Sequence, residues 1–321
     1  MPLPAALSTL RLPVIAAPMF IVSGIDLVVA ESRAGIVGSF PSLNARPQET
    51  FDDWLTRIED GLAGTNAPYA VNLVAHRSND RLSGDLETCV RHRVPLLLTS
   101  LQAPGKVVQA AHAYGGLVFH DVISLRHAEK AIEAGVDGLI LVCAGAGGHG
   151  GALSPFALLQ EVRRIYSGTI VLAGAITSGA SILAAQAMGA DLVYMGTRFI
   201  ATTEAAAVPD YKQMLVETSA RDIVYTNLFS GVHGNYLRPT IAAAGLDPDH
   251  LPPPDAGKTY VAGHKREKPK AWKDIWGAGQ GVGGITSIDD TAVVVDRLEA
   301  EYRAAWARMT ALHHHTGGTT P

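Results

Sequence analysis

Cysteine, long apolar runs and blocks of like charge are all scarce in this chain of 321 residues. The two cysteines, Cys89 and Cys143, form neither a C-x-x-C pair nor a metal-ligand spacing, which argues against a disulfide framework and against a metal site. No run of about 18 apolar residues occurs, so we expect no membrane span. The net charge is −4 and the basic residues form no long block, which disfavours nucleic acid or a membrane surface as a partner.

We also expect no signal peptide at the start of the chain. It reads Met-Pro-Leu-Pro, with no basic stretch before an apolar one. Together with the unpaired cysteines, this start predicts a cytoplasmic protein with reduced thiols. Hydrophobic residues make up 47% of the chain, which is enough to bury one large core or two smaller ones.

Short apolar runs and helical stretches alternate along the first 200 residues. The runs are almost continuously apolar, which indicates strands buried on both faces and therefore a parallel sheet with helical crossovers. The eight candidate strands cover residues 14–19, 35–40, 69–75, 95–101, 117–123, 138–144, 169–176 and 192–199. Eight such units predict an α/β fold of the (β/α)8 TIM-barrel type. An open, doubly wound sheet is the alternative, because alternation alone does not prove closure.

The composition changes after residue 199, where aromatic residues, glycine and proline become more frequent. We predict the barrel over residues 1–222, including a helix at 204–221. A smaller, mainly helical region over 223–290 would cover the barrel mouth, and a helix over 291–310 would pack on the barrel. The tail over 311–321 contains three consecutive histidines, and we expect it to be disordered rather than to bind metal.

A single histidine stands among glycines where the sixth strand should end. Residues 142–151 read V-C-A-G-A-G-G-H-G-G, with His149 near the end. Glycine permits positive φ and a close approach of a flat ligand to the backbone. Histidine titrates near neutral pH and can exchange a proton with a substrate. We therefore predict a catalytic or ligand-binding role for His149, with an ordinary loop histidine as the alternative.

Two glycine-bearing turns follow the seventh and eighth candidate strands, at Gly174 and at Gly196-Thr197. The loops at these places in a barrel commonly bind a phosphate group through backbone N–H groups. The alternative is that the glycines only allow close packing. A dinucleotide or P-loop fingerprint is absent, which argues against those phosphate sites.

A third glycine-dense segment, 276–284 (W-G-A-G-Q-G-V-G-G), is either a linker or a loop that returns to the site, where the amide of Gln280 suits hydrogen bonding.

Taken in order, these segments resemble the nitronate monooxygenases, formerly called 2-nitropropane dioxygenases. The resemblance covers residues 10–200 and returns at 276–285. Flavin-dependent enoyl-ACP reductases and NADH:quinone reductases look similar in the same segments. The segments that carry the resemblance are A-P-M at 17–19, V-N-L at 71–73, A-G-G-H-G-G at 146–151, G-A at 174–175, G-T-R-F at 196–199 and G-Q-G at 279–281.

The resemblance implies a barrel that holds FMN without a covalent bond, with His149 as the active-site histidine. Backbone groups of Ala17, Pro18 and Met19 would line the isoalloxazine ring, and Asn72 would contact it from the third strand. Along the ring and the ribityl chain, the expected contacts are Ala146, Gly147 and Gly148. At the phosphate, they are Ala173, Gly174, Ala175, Gly196 and Thr197. Two further expected cofactor contacts are Asp121 and Gln280.

The chain departs from the family pattern at two positions. Many members have Glu where this chain has Gly145, and many have Lys at the end of the fifth strand, where this chain has Asp121. A lysine would stabilise an anionic reduced ring and an aspartate would not, so redox tuning is expected to differ. The segment 229–236 has no counterpart that we can place, and we predict that His233 and Tyr236 in it contact the substrate.

The resemblance implies oxidation of a nitroalkane or nitronate with O2 to a carbonyl compound and nitrite, with His149 as base or hydrogen-bond donor to the substrate. The first alternative is an NAD(P)H-dependent flavin reductase acting on a quinone or an enoyl thioester. The second is a barrel that binds a phosphorylated ligand without redox chemistry. The sequence leaves open whether the chain forms a homodimer.

Overall fold

A closed barrel of eight parallel strands lies at the centre of the computed structural model, which describes residues 3–253 and 270–315. Neighbouring strands follow the order β1-β9-β8-β6-β5-β4-β3-β2, and a parallel bridge between Ile15 and Val37 joins the two ends. This confirms the predicted (β/α)8 fold. In chain order the strands are β1 (Val14–Ala16), β2 (Gly38–Pro41), β3 (Tyr69–Ala75), β4 (Leu96–Leu101), β5 (Leu117–Val122), β6 (Gly138–Val142), β7 (Gly148–His149), β8 (Thr169–Ala173), β9 (Leu192–Met195), β10 (Ile223–Thr226) and β11 (Gly234–Leu237).

Helices cross over between consecutive barrel strands, and four of them are followed by a glycine. Residues Gly35, Gly115, Gly135 and Gly189 all have positive φ, as a helix C-terminal cap requires. The helices are α1 (Ile25–Arg33), α2 (Thr50–Gly61), α3 (Leu82–Arg91), α4 (Gly105–His112), α5 (Leu125–Glu133), α6 (Pro155–Ile165), α7 (Gly179–Ala187), α8 (Thr197–Ile200), α9 (Pro209–Glu217), α10 (Arg238–Ala243) and α11 (Thr291–His315).

The barrel strands are apolar on both faces because each face packs against a separate core. Inside the barrel, Ile15, Leu98, Phe119 and Ile140 belong to one buried cluster, and Leu7 of the N-terminal segment joins them. The opposite strand faces pack against the apolar faces of the surrounding helices in a larger cluster. Along each strand, alternate residues therefore point into the barrel, and the inward residues at the carboxyl ends reach its mouth.

A three-stranded antiparallel sheet, in the order β10-β11-β7, lies beyond the barrel. Gly234 pairs with His149 and Asn235 pairs with Gly148. The loop after β6 is thus tied to residues some 85 positions later in the chain. The sequence did not predict this sheet, because β7 has only two residues and forms only when β11 is beside it.

Two predicted boundaries differ from the observed ones. The helix expected over 204–221 begins at Pro209, whose fixed φ suits a first helical turn, and α9 ends at Glu217. Helix α11 continues to His315, so residues 311–315, which were expected to be disordered, are helical. Residues 316–321 of the expected tail and residues 254–269 of the expected covering region lie outside the described residues.

Helix α11 packs against α7 and the outer side of the barrel. Glu301 of α11 accepts a hydrogen bond from the backbone N–H of Gly179, 2.8 Å away, at the first turn of α7. A Cβ atom on Gly179 would lie 2.2 Å from the carbonyl oxygen of Leu298, so only glycine allows this approach. Among the helices of the described residues, none is long and apolar enough to cross a bilayer.

Candidate active site

Strained backbone marks the loops at the carboxyl ends of three barrel strands. Ile21, Leu101 and Ala175 follow or end β1, β4 and β8, and all have positive φ, at 69°, 77° and 54°. This conformation costs about 1 kcal/mol or more for a residue other than glycine. Such strain concentrates at functional sites, and here it falls at the barrel mouth, where TIM-barrel enzymes place their chemistry.

The glycine-dense segment 276–284 returns to the loop after β6. The backbone N–H of Gly279 donates to Thr197 Oγ1 at 2.9 Å, and the N–H of Gln280 donates to the carbonyl of Gly145 at 2.9 Å. A Cβ atom on Gly147 would lie 2.8 Å from both Gly279 N and Thr197 Oγ1. The close approach of these three chain segments therefore depends on glycine at position 147.

The backbone N–H groups of Gly147, Gly174 and Gly196 have no partner within residues 3–253 and 270–315, and these three residues are not buried. Free N–H groups that converge in a loop form a favourable site for an anion. In the first turn of α7, Glu301 accepts from the N–H of Gly179 and the hydroxyl of Ser178 accepts from the N–H of Ser181. The structure thus offers mainly loop N–H groups for a phosphate.

The loop after β1 lies directly beside Gly196. The backbone N–H of Ala17 donates to the carbonyl of Met195 at 2.9 Å. A Cβ atom on Gly196 would lie 3.4 Å from Ala17 Cβ and 3.5 Å from Met19 Sδ, and Pro18 is half-buried between them. The structure therefore joins the Ala-Pro-Met segment to the expected phosphate loops along one side of the mouth.

The inner wall of the barrel carries polar groups at the expected positions on β3 and β5. Asn72 is buried and its Nδ2 donates to the carbonyl of Leu98 at 3.2 Å. The Oδ1 atom of Asp121 is buried without a hydrogen-bond partner among the described residues, and so is the hydroxyl of Tyr194 on β9. Burial raises the pKa of Asp121 to about 7. The neighbouring His120 points the other way, where Nδ1 meets Thr99 Oγ1 at 2.8 Å, and it has a structural role.

His149 stands at the edge of the second sheet and is held there by two contacts. Its Nε2 lies 2.7 Å from Ser230 Oγ, and its ring meets Trp272 edge-on at 5.3 Å. Although the residue keeps contact with solvent, surrounding atoms desolvate the imidazole and lower its pKa. The neutral ring therefore predominates near pH 7.

The hydrogen bonds of Ser230 determine which nitrogen of His149 is free. Its single hydroxyl proton is donated to the carbonyl of Val232 at 3.0 Å. Ser230 Oγ also lies 3.2 Å from the hydroxyl of Tyr236, and either of the two hydroxyls can donate. With the Ser230 proton on the Val232 carbonyl, the Ser230 oxygen accepts from His149 Nε2, and Nδ1 holds the lone pair of the neutral ring. Nδ1 makes no hydrogen bond within the described part of the chain. The arrangement presents Nδ1 as a base.

The two residues expected to contact substrate lie in different surroundings. His233 is exposed and stacks on Tyr225 with ring centroids 5.1 Å apart. Tyr236 is fully buried between Trp272 and Phe229 and reaches the site only through its hydroxyl, 3.2 Å from Ser230 Oγ. Tyr236 therefore supports the wall behind His149 rather than offering a surface to a ligand.

The expected site residues thus form two groups. One contains the loops around Gly147, Gly174 and Gly196 with Gln280 and the Ala-Pro-Met segment, and the other contains the His149 sheet. Asn235 links them, because its Nδ2 donates to the carbonyl of Ala146 at 2.6 Å. Residues that the sequence analysis did not identify are Ser230, Asn235, Tyr194 and Trp272. The first two lie in the segment 229–236, whose lack of a counterpart was the available signal.

The residues present fit a flavin phosphate and ring. Free N–H groups suit a phosphate, the glycine turns leave the backbone open to a flat ring, and the buried oxygens of Asp121 and Tyr194 lack partners that a polar ring edge could supply. No group of three or more His, Cys, Asp or Glu side chains in residues 3–253 and 270–315 is arranged to hold a metal ion.

The comparisons place this (β/α)8 barrel, with its polar groups at the carboxyl rim, among the oxidoreductases. The family model described as "Nitronate monooxygenase" matches residues 45–243. The chain belongs to this family.

Relatives over most of the chain differ in their named reactions. "Nitronate monooxygenase npaC" of Metarhizium robertsii is 30% identical, and the match covers 93% of each chain. The "(3aS,4S,5R,7aS)-5-hydroxy-7a-methyl-1-oxo-octahydro-1H-indene-4-carboxyl-CoA dehydrogenase" of Mycobacterium tuberculosis is 28% identical over 70% of this chain and 63% of its own.

Two solved structures share the fold. FabK from Thermotoga maritima has a TM-score of 0.78 at 22% identity, covering 96% of this chain and 97% of its own. Nitroalkane oxidase from Streptomyces ansochromogenes has a TM-score of 0.76 at 24% identity, covering 95% and 100%. At these identities the likeness establishes the fold alone.

Proposed function

We propose that this enzyme binds FMN and oxidises a nitroalkane or its nitronate with O2 to a carbonyl compound and nitrite. The observation that supports the proposal is His149, whose pKa is lowered by desolvation and whose sheet is joined to the loops with unpartnered N–H groups by the hydrogen bond from Asn235 to Ala146. Family membership and the close relative named as a nitronate monooxygenase support the same reaction. A cytoplasmic location, with the buried thiols of Cys89 and Cys143 reduced, belongs to this proposal.

The loops at the mouth would hold the cofactor. The N–H groups of Gly147, Gly174 and Gly196 would bind its phosphate, and the backbone of the Ala-Pro-Met segment would lie along its ring. When bound, FMN supplies the electron-accepting chemistry, which no side chain of the protein provides. Gln280 and Thr197 would then close the phosphate end of the site.

His149 would remove the α-proton of a neutral nitroalkane. A general base works best when its pKa lies near or below the working pH, so that the unprotonated form is abundant. Desolvation lowers the pKa of His149, and the hydrogen bond from Ser230 to Val232 favours the tautomer in which Nδ1 is free. The rate with a neutral nitroalkane should therefore rise with pH through a value below the ordinary histidine pKa and then level off.

The rim around the site suits an apolar substrate body. Leu101, Ile123 and Leu153 follow β4, β5 and β7, and are 55%, 40% and 43% exposed. Neighbouring exposed apolar side chains of this size mark binding surfaces. A nitroalkane has a small charged or polar head and an apolar chain, which matches a basic imidazole beside an apolar rim.

Nitrite release by the His149→Asn variant tests the proposal. General-base catalysis contributes about 10²–10⁴-fold, so nitrite release from a neutral nitroalkane should fall at least about 100-fold. Release from a preformed nitronate, whose α-proton is already gone, should change much less. The matched control is His127→Asn, an exposed histidine on α5. Full activity of His149→Asn with the neutral substrate would refute the assignment of the base.

A second candidate reaction is the reduction of an enoyl thioester or quinone by NAD(P)H through the same cofactor. The exposed apolar rim is compatible with an acyl chain, and one relative is named as a carboxyl-CoA dehydrogenase. Anaerobic mixing separates the two reactions. Rapid flavin reduction by NADH or NADPH, with slow reduction by a nitronate, would favour the reductase.

A further inference from the structure

Two buried oxygens on the inner wall of the barrel are left without hydrogen bonds by the residues that the structure describes. They are Asp121 Oδ1 on β5 and the hydroxyl of Tyr194 on β9. Asp121 is on the same strand face as Phe119, and Tyr194 packs against the same interior cluster as Phe119. A buried polar atom without a partner costs about 1–3 kcal/mol, which a fold tolerates where a ligand completes the bonding.

Asp121 and Tyr194 both lie on the inner wall of the barrel. Burial first, and then the charge of Asp121, raises the pKa of Tyr194 well above its ordinary value. The strand register places Ile140 of β6 opposite Asp121, and on β4 the pairing of Thr99 with His120 places Ser100 beside it; neither side chain is charged. Burial raises the pKa of Asp121 to about 7, and no cation among the described residues offsets it. Asp121 can therefore exchange a proton in the neutral pH range.

The inward wall below the mouth is where the ring of the proposed cofactor has to rest, since the phosphate loops and Ala17 border it. A ring that accepts two electrons and one proton carries one additional negative charge. A carboxylate on the wall would oppose that charge, whereas a neutral carboxyl group would not and can donate a hydrogen bond.

We propose that Asp121 is a proton-uptake site coupled to the reduction of bound FMN, with the buried, unpartnered hydroxyl of Tyr194 on the same inner wall. When electrons from a substrate or an added reductant reach the ring as two electrons with one proton, the Asp121 carboxylate takes one further proton from solvent. Reoxidation returns that proton. The total is then two electrons and two protons, and the net charge of the site is unchanged. This inference rests on the proposed binding of FMN.

The midpoint potential of the FMN-loaded protein, measured against a reference dye from pH 6 to 9, tests the coupling. A tenfold change in proton concentration shifts a two-electron potential by about 30 mV for each proton taken up. We expect about −59 mV per pH unit for the wild-type protein over part of this range and about −30 mV for Asp121→Asn. Asp53→Asn, an exposed carboxyl on α2, is the matched control and should keep the wild-type slope.

Equal slopes for the wild-type protein and Asp121→Asn would overturn the proposal. If the variant does not fold, infrared difference spectra of the wild-type protein provide a second test. Reduction should convert a carboxylate band into a protonated-carboxyl band. If this conversion does not occur, the proposal is also overturned. A protein that takes up no FMN in the preliminary absorption titration would instead refute the proposed function. Tyr194→Phe should keep the steep slope and move the pH range over which it occurs.

Discussion

The replacement Gly147→Ala should weaken FMN binding more than any other change of one methyl group in the loop after β6. The new Cβ would lie 2.8 Å from Gly279 N and from Thr197 Oγ1, well inside the optimal separation of about 3.5–4 Å. Overpacking of this kind costs about 1–3 kcal/mol, and loss of the hydrogen bond between Gly279 and Thr197 adds about 1 kcal/mol. The free protein can avoid this cost by moving the segment 276–284 away, whereas the bound form needs the segment in place.

The expected cost of about 2–4 kcal/mol corresponds to at least about a 30-fold increase in the dissociation constant of FMN. Quenching of FMN fluorescence on titration with the protein measures it. Gly150→Ala is the matched control, because its Cβ would approach no atom closer than 3.5 Å and neither glycine has positive φ. Its dissociation constant should stay within about twofold of the wild-type value. If both variants bind FMN equally well, the segment 276–284 is not part of the cofactor site.

Three further changes test other parts of the structure. Ser230→Ala should lower kcat with a neutral nitroalkane about tenfold, with little change in FMN affinity. The reason is that the tautomer of His149 with the proton on Nδ1 becomes populated. Unchanged kcat would contradict the role given to Ser230. Gly145→Glu should destabilise the protein in thermal melts, since Gly145 has a φ of 86° and its Cβ would lie 3.1 Å from Gln280 Oε1; a melting temperature equal to that of the wild-type protein would contradict this packing. Burial raises the pKa of Glu31 in the folded protein well above its ordinary value of 4.5. As the pH rises, Glu31 therefore loses its proton in the unfolded chain before it does so in the folded protein. The free energy of unfolding then falls from about pH 4.5 upward. Glu31→Gln should therefore melt higher than the wild-type protein at pH 8 and similarly at pH 4, and an equal difference at both pH values would refute this account.

The barrel could be predicted from the sequence because its signals are local. Each strand is a short apolar run and several crossover helices are followed by a glycine, so the alternation alone gives eight units. The positive φ of Gly35, Gly115, Gly135 and Gly189 shows that the caps were correctly predicted. The barrel was the predicted fold, although alternation alone does not prove closure, which the structure shows in the bridge between Ile15 and Val37 at the two ends of the sheet.

The second sheet could not be predicted because its strands are short and distant in sequence. Residues 148–149 carry no strand pattern, and their extended conformation depends on hydrogen bonds with residues 234–235. Ser230 and Trp272 were missed for the same reason: each contacts His149 only after the sheet has formed. The sequence did point to His149 itself, through its glycine neighbours and its place after β6.

The two departures from the family pattern have different structural consequences. At position 145 the structure explains glycine directly, since positive φ and the nearby amide of Gln280 leave no room for a larger side chain. At position 121 the carboxyl is buried without a cation, so the chemistry of the site changes while the fold does not. The sequence revealed both departures, but only the structure separates a packing requirement from a change in electrostatics.

The visible absorption spectrum of the FMN-loaded protein, recorded anaerobically before and after addition of a nitronate, tests the central claim most directly. The account predicts a bound-flavin spectrum that bleaches rapidly with the nitronate and slowly with NADH, and recovers with release of nitrite when O2 is admitted. A protein that takes up no FMN, or one whose bound flavin is unchanged by the nitronate, would contradict it.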